Sequence, residues 1–279
     1  MTTREHELDT TSARRVLITG ADGIVGRVLR ERLADRYELR LMTHRPAAYP
    51  SVVADVADFE AIRPAFEGVA AVVHLAGTAS VSAPWEDLLS PNIVGTRNVF
   101  EAAAAAAVSL VVYASSNHVI GMEEVDGAPA IHRPGHGQLF DERAEARPDS
   151  LYAVTKVFGE AIARYYVERR GLRAICVRIG SVTEDDDPAT PSRVEAAPEK
   201  RLTREERIAR HAAVWLSHRD CASLIAAAVD ADAVRWAVVY GVSDNRARFW
   251  SLESAWRDLG WRPEDGADAD GRRVGVAAS

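Results

Sequence analysis

Over the first 180 residues, short β-branched runs alternate strictly with longer helical patterns, and that order leaves few architectures open. Val16-Leu17-Ile18-Thr19 reads as a strand and Ile24 to Leu33 as a helix. Leu39 to Met42 and Val52 to Ala54 read as strands, Phe59 to Phe66 as a helix, and Ala71 to Leu75 as a strand. An Ala-rich helical stretch covers 91–107, followed by a strand at Leu110 to Ala114. A long helix from about Leu151 to Arg170 is stopped by Gly171, and a strand at Ala174 to Ile179 closes the series. Strand and helix in alternation imply a parallel sheet with helices on both faces. The fold class expected is therefore α/β: a Rossmann-like, doubly wound parallel sheet with a small C-terminal mixed region for substrate.

The rhythm breaks at TEDDDPATPSRVEAAPEKRLTREE, residues 183–206, which holds three prolines and few apolar side chains. It reads as a loop that ends in a helix start, because Thr203 and Glu206 have capping-box spacing. Beyond it lies a smaller region with five of the six tryptophans. The expected organisation is a disordered lead at 1–13, a dinucleotide-binding domain at 14–182, a substrate-binding region at 183–265 with a mobile loop at 183–203, and a frayed tail at 266–279.

Composition narrows the function. Thirty-four Lys and Arg against 41 Asp and Glu leave a net charge of −7, so the chain has no general attraction for a phosphate backbone and no nucleic-acid partner is expected. Two cysteines, Cys176 and Cys221, make neither a disulfide framework nor a metal cluster. No apolar run approaches a membrane span. The polar N-terminus lacks the apolar core of a signal peptide, so the compartment expected is the cytoplasm.

Three constellations carry chemistry. The first strand runs into Thr19-Gly20-Ala21-Asp22-Gly23-Ile24-Val25-Gly26 and then a helix. Glycines three apart allow a tight turn and let a phosphate approach the helix N-terminus. Asp55 and Val56, then Ala76 and Gly77, lie just past later strands, where open α/β sheets bind ligands. Tyr152 and Lys156, four apart on the long helix, share a face. A phenol with a pKa near 10 is a poor base until a nearby cation lowers it. Ser115-Ser116-Asn117-His118-Val119-Ile120-Gly121 leaves an apolar strand with four polar side chains in a row, which cost desolvation unless paired or used.

In this order the motifs TGADGIVG, the DVAD of 55–58, HLAG, NIVGTRNVFEAA, ASSNHVIG and FDERAEARPDSLYAVTK resemble those of the extended short-chain dehydrogenases/reductases, of the NAD-dependent epimerase/dehydratase family. Within it, SSNHVIG, LYAVTK, VRIGS, WLSHRD and VVYGVSDNRARFW most resemble the uronate dehydrogenases. Those enzymes oxidise the anomeric C1 hydroxyl of glucuronate or galacturonate to a lactone. The resemblance implies Ser116, Tyr152 and Lys156 as catalytic residues. It implies a cofactor site of Gly20, Asp22, Gly23, Ile24, Val25, Gly26, Asp55, Val56, Leu75, Ala76, Gly77, Asn92, Tyr152, Lys156 and Ile179. Ser80, Asn117, His118 and Ser181 would contact the sugar. Arg210, five residues before Trp215, would clamp its carboxylate, with Arg204 and Arg207 at spacings of three on the same helix. A homo-oligomer is usual for the family.

The chain departs from the uronate dehydrogenases in three places. The segments between Ser181 and Trp215 and between Gly121 and Phe140 are longer, and no acidic residue stands near the end of the second strand, which reads Thr43-His44-Arg45. A guanidinium suits a 2′-phosphate, so NAD or NADP is expected, with NADP favoured and Arg45 as its contact. Two other readings compete with an NAD(P)-dependent dehydrogenase of a small sugar acid. One is a nucleotide-sugar epimerase or dehydratase, which would need a larger C-terminal domain than the roughly 75 residues after the loop. The other is a catalytically idle dinucleotide-binding regulator.

Overall fold

The computed structural model describes residues 13–196 and 201–275. The expected lead at 1–12, the stretch 197–200 and the last four residues lie outside that description. Along the chain come β1 (Arg15–Thr19), α1 (Ile24–Leu33), β2 (Glu38–Thr43), β3 (Val52–Val53), α2 (Phe59–Ile62), β4 (Ala71–His74), α3 (Trp85–Leu88) and α4 (Thr96–Ala105). Then follow β5 (Leu110–Ser116), α5 (Gly121–Gly127), α6 (Leu151–Arg170), β6 (Arg173–Ile179), α7 (Pro191–Ala196), α8 (Arg204–Val214), α9 (His218–Asp230), β7 (Trp236–Gly241), α10 (Glu253–Leu259), β8 (Asp265–Ala267) and β9 (Arg273–Gly275).

The first seven strands form one parallel sheet in the order β3-β2-β1-β4-β5-β6-β7. The order reverses between β1 and β4, the place where sheets of this kind open a crevice at their carboxyl ends. Alternate strand residues face opposite layers, as the two-residue period of a strand requires. Val16, Ile18, Val73, Val112 and Val177 pack with Val28, Leu29 and Leu224 of α1 and α9. Leu17, Val72, Val111 and Cys176 pack with Phe100, Ala163 and Tyr166 of α4 and α6. Cys176 is thus a core residue, as its apolar neighbours in sequence imply. A third cluster, including Val119, Ile131, Val214, Tyr240, Phe249 and Trp250, joins the end of β7 to α8 and to the segment that follows β5.

The structure differs from the sequence reading in three places. Part of the C-terminal region belongs to the sheet: β7 pairs with β6 and α9 packs on α1, so residue 182 is not a physical boundary. The stretch read as a mobile loop holds α7, with Val194 and Thr183 buried, because its few apolar side chains plug into the domain rather than facing water. The stretch read as a frayed tail pairs as the antiparallel β8–β9 hairpin, with Ala267 buried against Ala212 and Trp215. Among the described residues, no helix is long and apolar enough to cross a membrane.

Candidate active site

The floor of the crevice is shaped by absent side chains. Gly20 has φ +69°, and a Cβ on it would lie 2.7 Å from the Ala76 backbone nitrogen, so the β1 and β4 ends touch there. A Cβ on Gly26 would lie 2.5 Å from the Gly20 carbonyl oxygen, which brings α1 directly against the turn. Gly23 is the N-cap of α1 and supplies no capping side chain, so the helix's first amides are free of side-chain competition. Behind the turn, the Thr19 hydroxyl accepts from the Leu75 and Ala76 amides, each at 3.2 Å. Its own proton therefore goes to His74 Nδ1 at 2.8 Å, and His74 Nε2 carries the proton that faces Thr96 at 3.3 Å. Burial, helped by the charge of Lys156, lowers the His74 pKa to about 3 and keeps the ring neutral. These groups suit a dinucleotide: a tight turn, open amides and a floor with no side chain in the way.

The chemical wall is β5, the turn after it and the start of α6. Ser116 caps the turn at Asn117–Ile120 by accepting from the His118 amide at 3.2 Å, and its hydroxyl meets Asn117 Oδ1 at 3.3 Å. His118 Nδ1 lies 2.6 Å from Asp149 Oδ2. That contact explains the glycine closing the motif, since a Cβ on Gly121 would fall 2.1 Å from the same carboxylate oxygen. Ser150 caps α6 and aims Tyr152 and Lys156 inward. Lys156 Nζ donates to the Ala114 carbonyl at 2.8 Å and sits 5.6 Å from the Tyr152 ring centre. Burial lowers the Lys156 pKa to about 8. Burial also raises that of Tyr152, the Ser116 hydroxyl lowers it through a hydrogen bond, and the Asp149 charge raises it.

The far end is held by charge. Glu124 of α5 accepts from Arg210 Nε at 2.7 Å and lies 3.0 Å from His132 Nε2. Burial pushes the Glu124 carboxyl up, but Arg210 and His132 outweigh it and hold the pKa down to about 2. His211 is lowered to about 4 by burial, reinforced by the charges of Arg210 and Arg193.

One cleft of about 1820 Å³ joins the three parts. A pocket for one small ligand is typically about 300–1,000 Å³, so this cleft has room for a dinucleotide and a second molecule. It is lined by Gly20, Asp22, Gly23, Ile24, Val25, Gly26, Asp55, Val56, Leu75, Ala76, Gly77 and Ile179 on the side of the glycine turn. Ser116, Tyr152 and Lys156 line it centrally, and Ser80, Asn117, His118, Ser181 and Arg210 line the remainder.

Two expected residues are not in the lining. Arg45 is exposed, and the cleft is lined by Thr43 and His44 as the chain leaves β2. Asn92 lies behind the wall: Oδ1 accepts from the Thr78 amide at 2.8 Å, and Nδ2 donates to the Thr78 carbonyl and the Thr155 hydroxyl. It braces the loop after β4 against α6. The arginine stripe also splits, because Arg207 spends its guanidinium on the Val194 and Leu202 carbonyls. Sequence reasoning missed Asp149, Glu124, His132 and Arg193, all of which line the cleft. Only Asp149 left a signal, in the glycine at 121 that makes room for it.

The NAD dependent epimerase/dehydratase family matches residues 16–234. An NAD-dependent glucose-6-phosphate dehydrogenase of Haloferax volcanii is 36% identical over 90% of this chain and 93% of its own length. A uronate dehydrogenase of Agrobacterium fabrum is 39% identical over 94% of this chain and 88% of its own. Among solved structures, a mutant uronate dehydrogenase from Agrobacterium tumefaciens complexed with NAD superposes with a TM-score of 0.74, at 35% identity over 93% of this chain and 87% of that one.

Proposed function

The chain belongs to the NAD dependent epimerase/dehydratase family, as one of its dehydrogenases, and from that premise we propose that it oxidises the anomeric hydroxyl of a hexuronic acid or similar small sugar acid to a lactone. The observation that carries this reading is the meeting of Ser116, Tyr152 and Lys156 in one cleft with Asn117, His118, Ser181 and Arg210. NAD or NADP, when bound, supplies the hydride acceptor. Tyr152, as its phenolate, takes the C1 hydroxyl proton while the hydride leaves C1 for that acceptor. Ser116 shares hydrogen bonds with that phenol and orients the same sugar oxygen. Lys156 holds the α6 start to β5 through the Ala114 carbonyl and stands where it can meet a cofactor ribose hydroxyl. His118, fixed by Asp149, and Asn117 present donors and acceptors to sugar hydroxyls, and a site built of such groups rejects analogues lacking the partner. Arg210 stands at the end where the sugar's carboxylate would lie.

On the cofactor, the absence of a carboxylate at the end of β2 leaves a 2′-phosphate unopposed, which supports NADP as well as NAD. His44 lines the cleft there, and the exposed Arg45 follows it in the chain. The test is a panel of D-galacturonate, D-glucuronate, D-glucose 6-phosphate, L-arabinose, UDP-glucose and UDP-glucuronate, each with NAD and with NADP, followed at the absorbance of the reduced nicotinamide. Turnover of a uronate with lactone as first product supports the reading; turnover of UDP-sugars alone would sink it.

A further inference from the structure

The inserted segment between β6 and α8 brings its own cation into the cleft. It is fastened at several points. His218 Nε2 meets the Thr183 carbonyl at 2.7 Å, and the His218 amide donates to Asp186 at 2.7 Å. Arg27 of α1 pairs with Glu184 at 2.9 Å. These anchors deliver α7, where Val194 is buried and the neighbouring Arg193 faces the cleft. Arg193 Nη1 donates to the Ser181 hydroxyl at 3.1 Å and to the Val182 carbonyl at 3.4 Å.

The two arginines at this end are in different electrostatic positions. Arg210 is mostly buried, and its charge is met by the carboxylate of Glu124 at 2.7 Å. Arg193 is exposed to the cleft. Among the described residues no carboxylate lies within ion-pair distance of it, and Nε and Nη2 make no hydrogen bond. Both of its acceptors are neutral, so its positive charge remains available to a ligand, with donors in the fork that fits a carboxylate or phosphate.

We propose that Arg193 is a specificity-determining residue: it holds the anionic substituent on the sugar carbon farthest from C1, beside Ser181, while Arg210 is tied to the Glu124 scaffold. This rests on the sugar-oxidising reading above. A carboxylate and a phosphate share the required chemistry, and the experiment separates them. L-Arabinose has the ring of D-galacturonate without its carboxylate, so the ratio of kcat/KM for the two sugars isolates recognition of the acid. The same ratio for glucose 6-phosphate over glucose isolates recognition of a phosphate. In Arg193→Gln the ratio belonging to the natural anion falls about ten-fold or more, mainly through KM, and Arg193→Lys restores part of it. The larger wild-type ratio names the anion. Unchanged ratios in Arg193→Gln, or a wild-type enzyme that prefers both neutral sugars, would overturn the proposal. A wild-type protein that oxidises none of these sugars overturns the parent reading, and this inference with it.

Discussion

At the glycine-turn end of the cleft the decisive contacts are backbone against backbone. The Gly20 turn presses on Ala76, α1 presses on the Gly20 carbonyl, and the Thr19 hydroxyl gathers two amides. At the Arg210 end they are side chain against side chain: Glu124 with His132 and Arg210, His118 with Asp149, Arg193 with Ser181. Backbone contacts need a glycine at a fixed place and hold for any dinucleotide. Ion pairs can be rearranged by an insertion without disturbing the sheet. A floor of that kind is compatible with relatives whose names carry different sugars.

The largest effect expected across this divide is at the phenol between the two ends. Tyr152→Phe removes the proton acceptor, and general acid–base catalysis contributes about 10²–10⁴-fold. Turnover should fall by that factor while the dissociation constant for the reduced cofactor, read by fluorescence, stays within about twofold of wild type. Because burial raises the Tyr152 pKa, sugar oxidation by the wild type should also speed up as pH rises through the alkaline range. A mutant with near wild-type kcat would remove Tyr152 from the chemistry.

The next effect sharpens the contrast itself. Glu124→Ala removes the buried carboxylate that meets both Arg210 and His132, and breaking a buried pair costs about 3–5 kcal/mol. The urea midpoint should drop accordingly and sugar KM should rise, with cofactor affinity nearly unchanged. Equal loss of cofactor affinity would show that the two ends are mechanically coupled.

The smallest effect probes the floor. His74 has its pKa lowered to about 3 in the folded chain against about 6.5 unfolded, so its contribution is fully present above pH 6.5 and is lost as pH falls towards 3. Between pH 7 and 5 this amounts to about 2 kcal/mol, at roughly 1.4 kcal/mol per pH unit below 6.5. His211, lowered to about 4, adds a similar slope over a shorter window. His74→Gln should flatten the pH dependence of unfolding free energy by the slope of one proton. An unaltered slope would mean that the buried ring is not the titrating group.

What was legible in the sequence follows from this contrast. Strand and helix alternation, the glycine spacing and the Tyr152–Lys156 pair are local patterns, because hydrogen-bonded turns and helix faces are set by neighbours within about four residues. The α/β class, and the meeting of the glycine turn with Ser116, Tyr152 and Lys156 in one cleft, could therefore be read directly, and a glycine such as Gly121 even marks a close approach. Arg45 and Asn92 could not be placed, since whether a side chain at a strand's end turns into a cleft or braces a loop depends on what packs behind it. Likewise no local signal joins Glu124 to Arg210, or sets α7 and the β8–β9 hairpin against the domain. Those contacts link positions tens of residues apart, and only the tertiary structure, by burying charge against charge, decided which arginine is tied to a carboxylate and which remains available to a ligand.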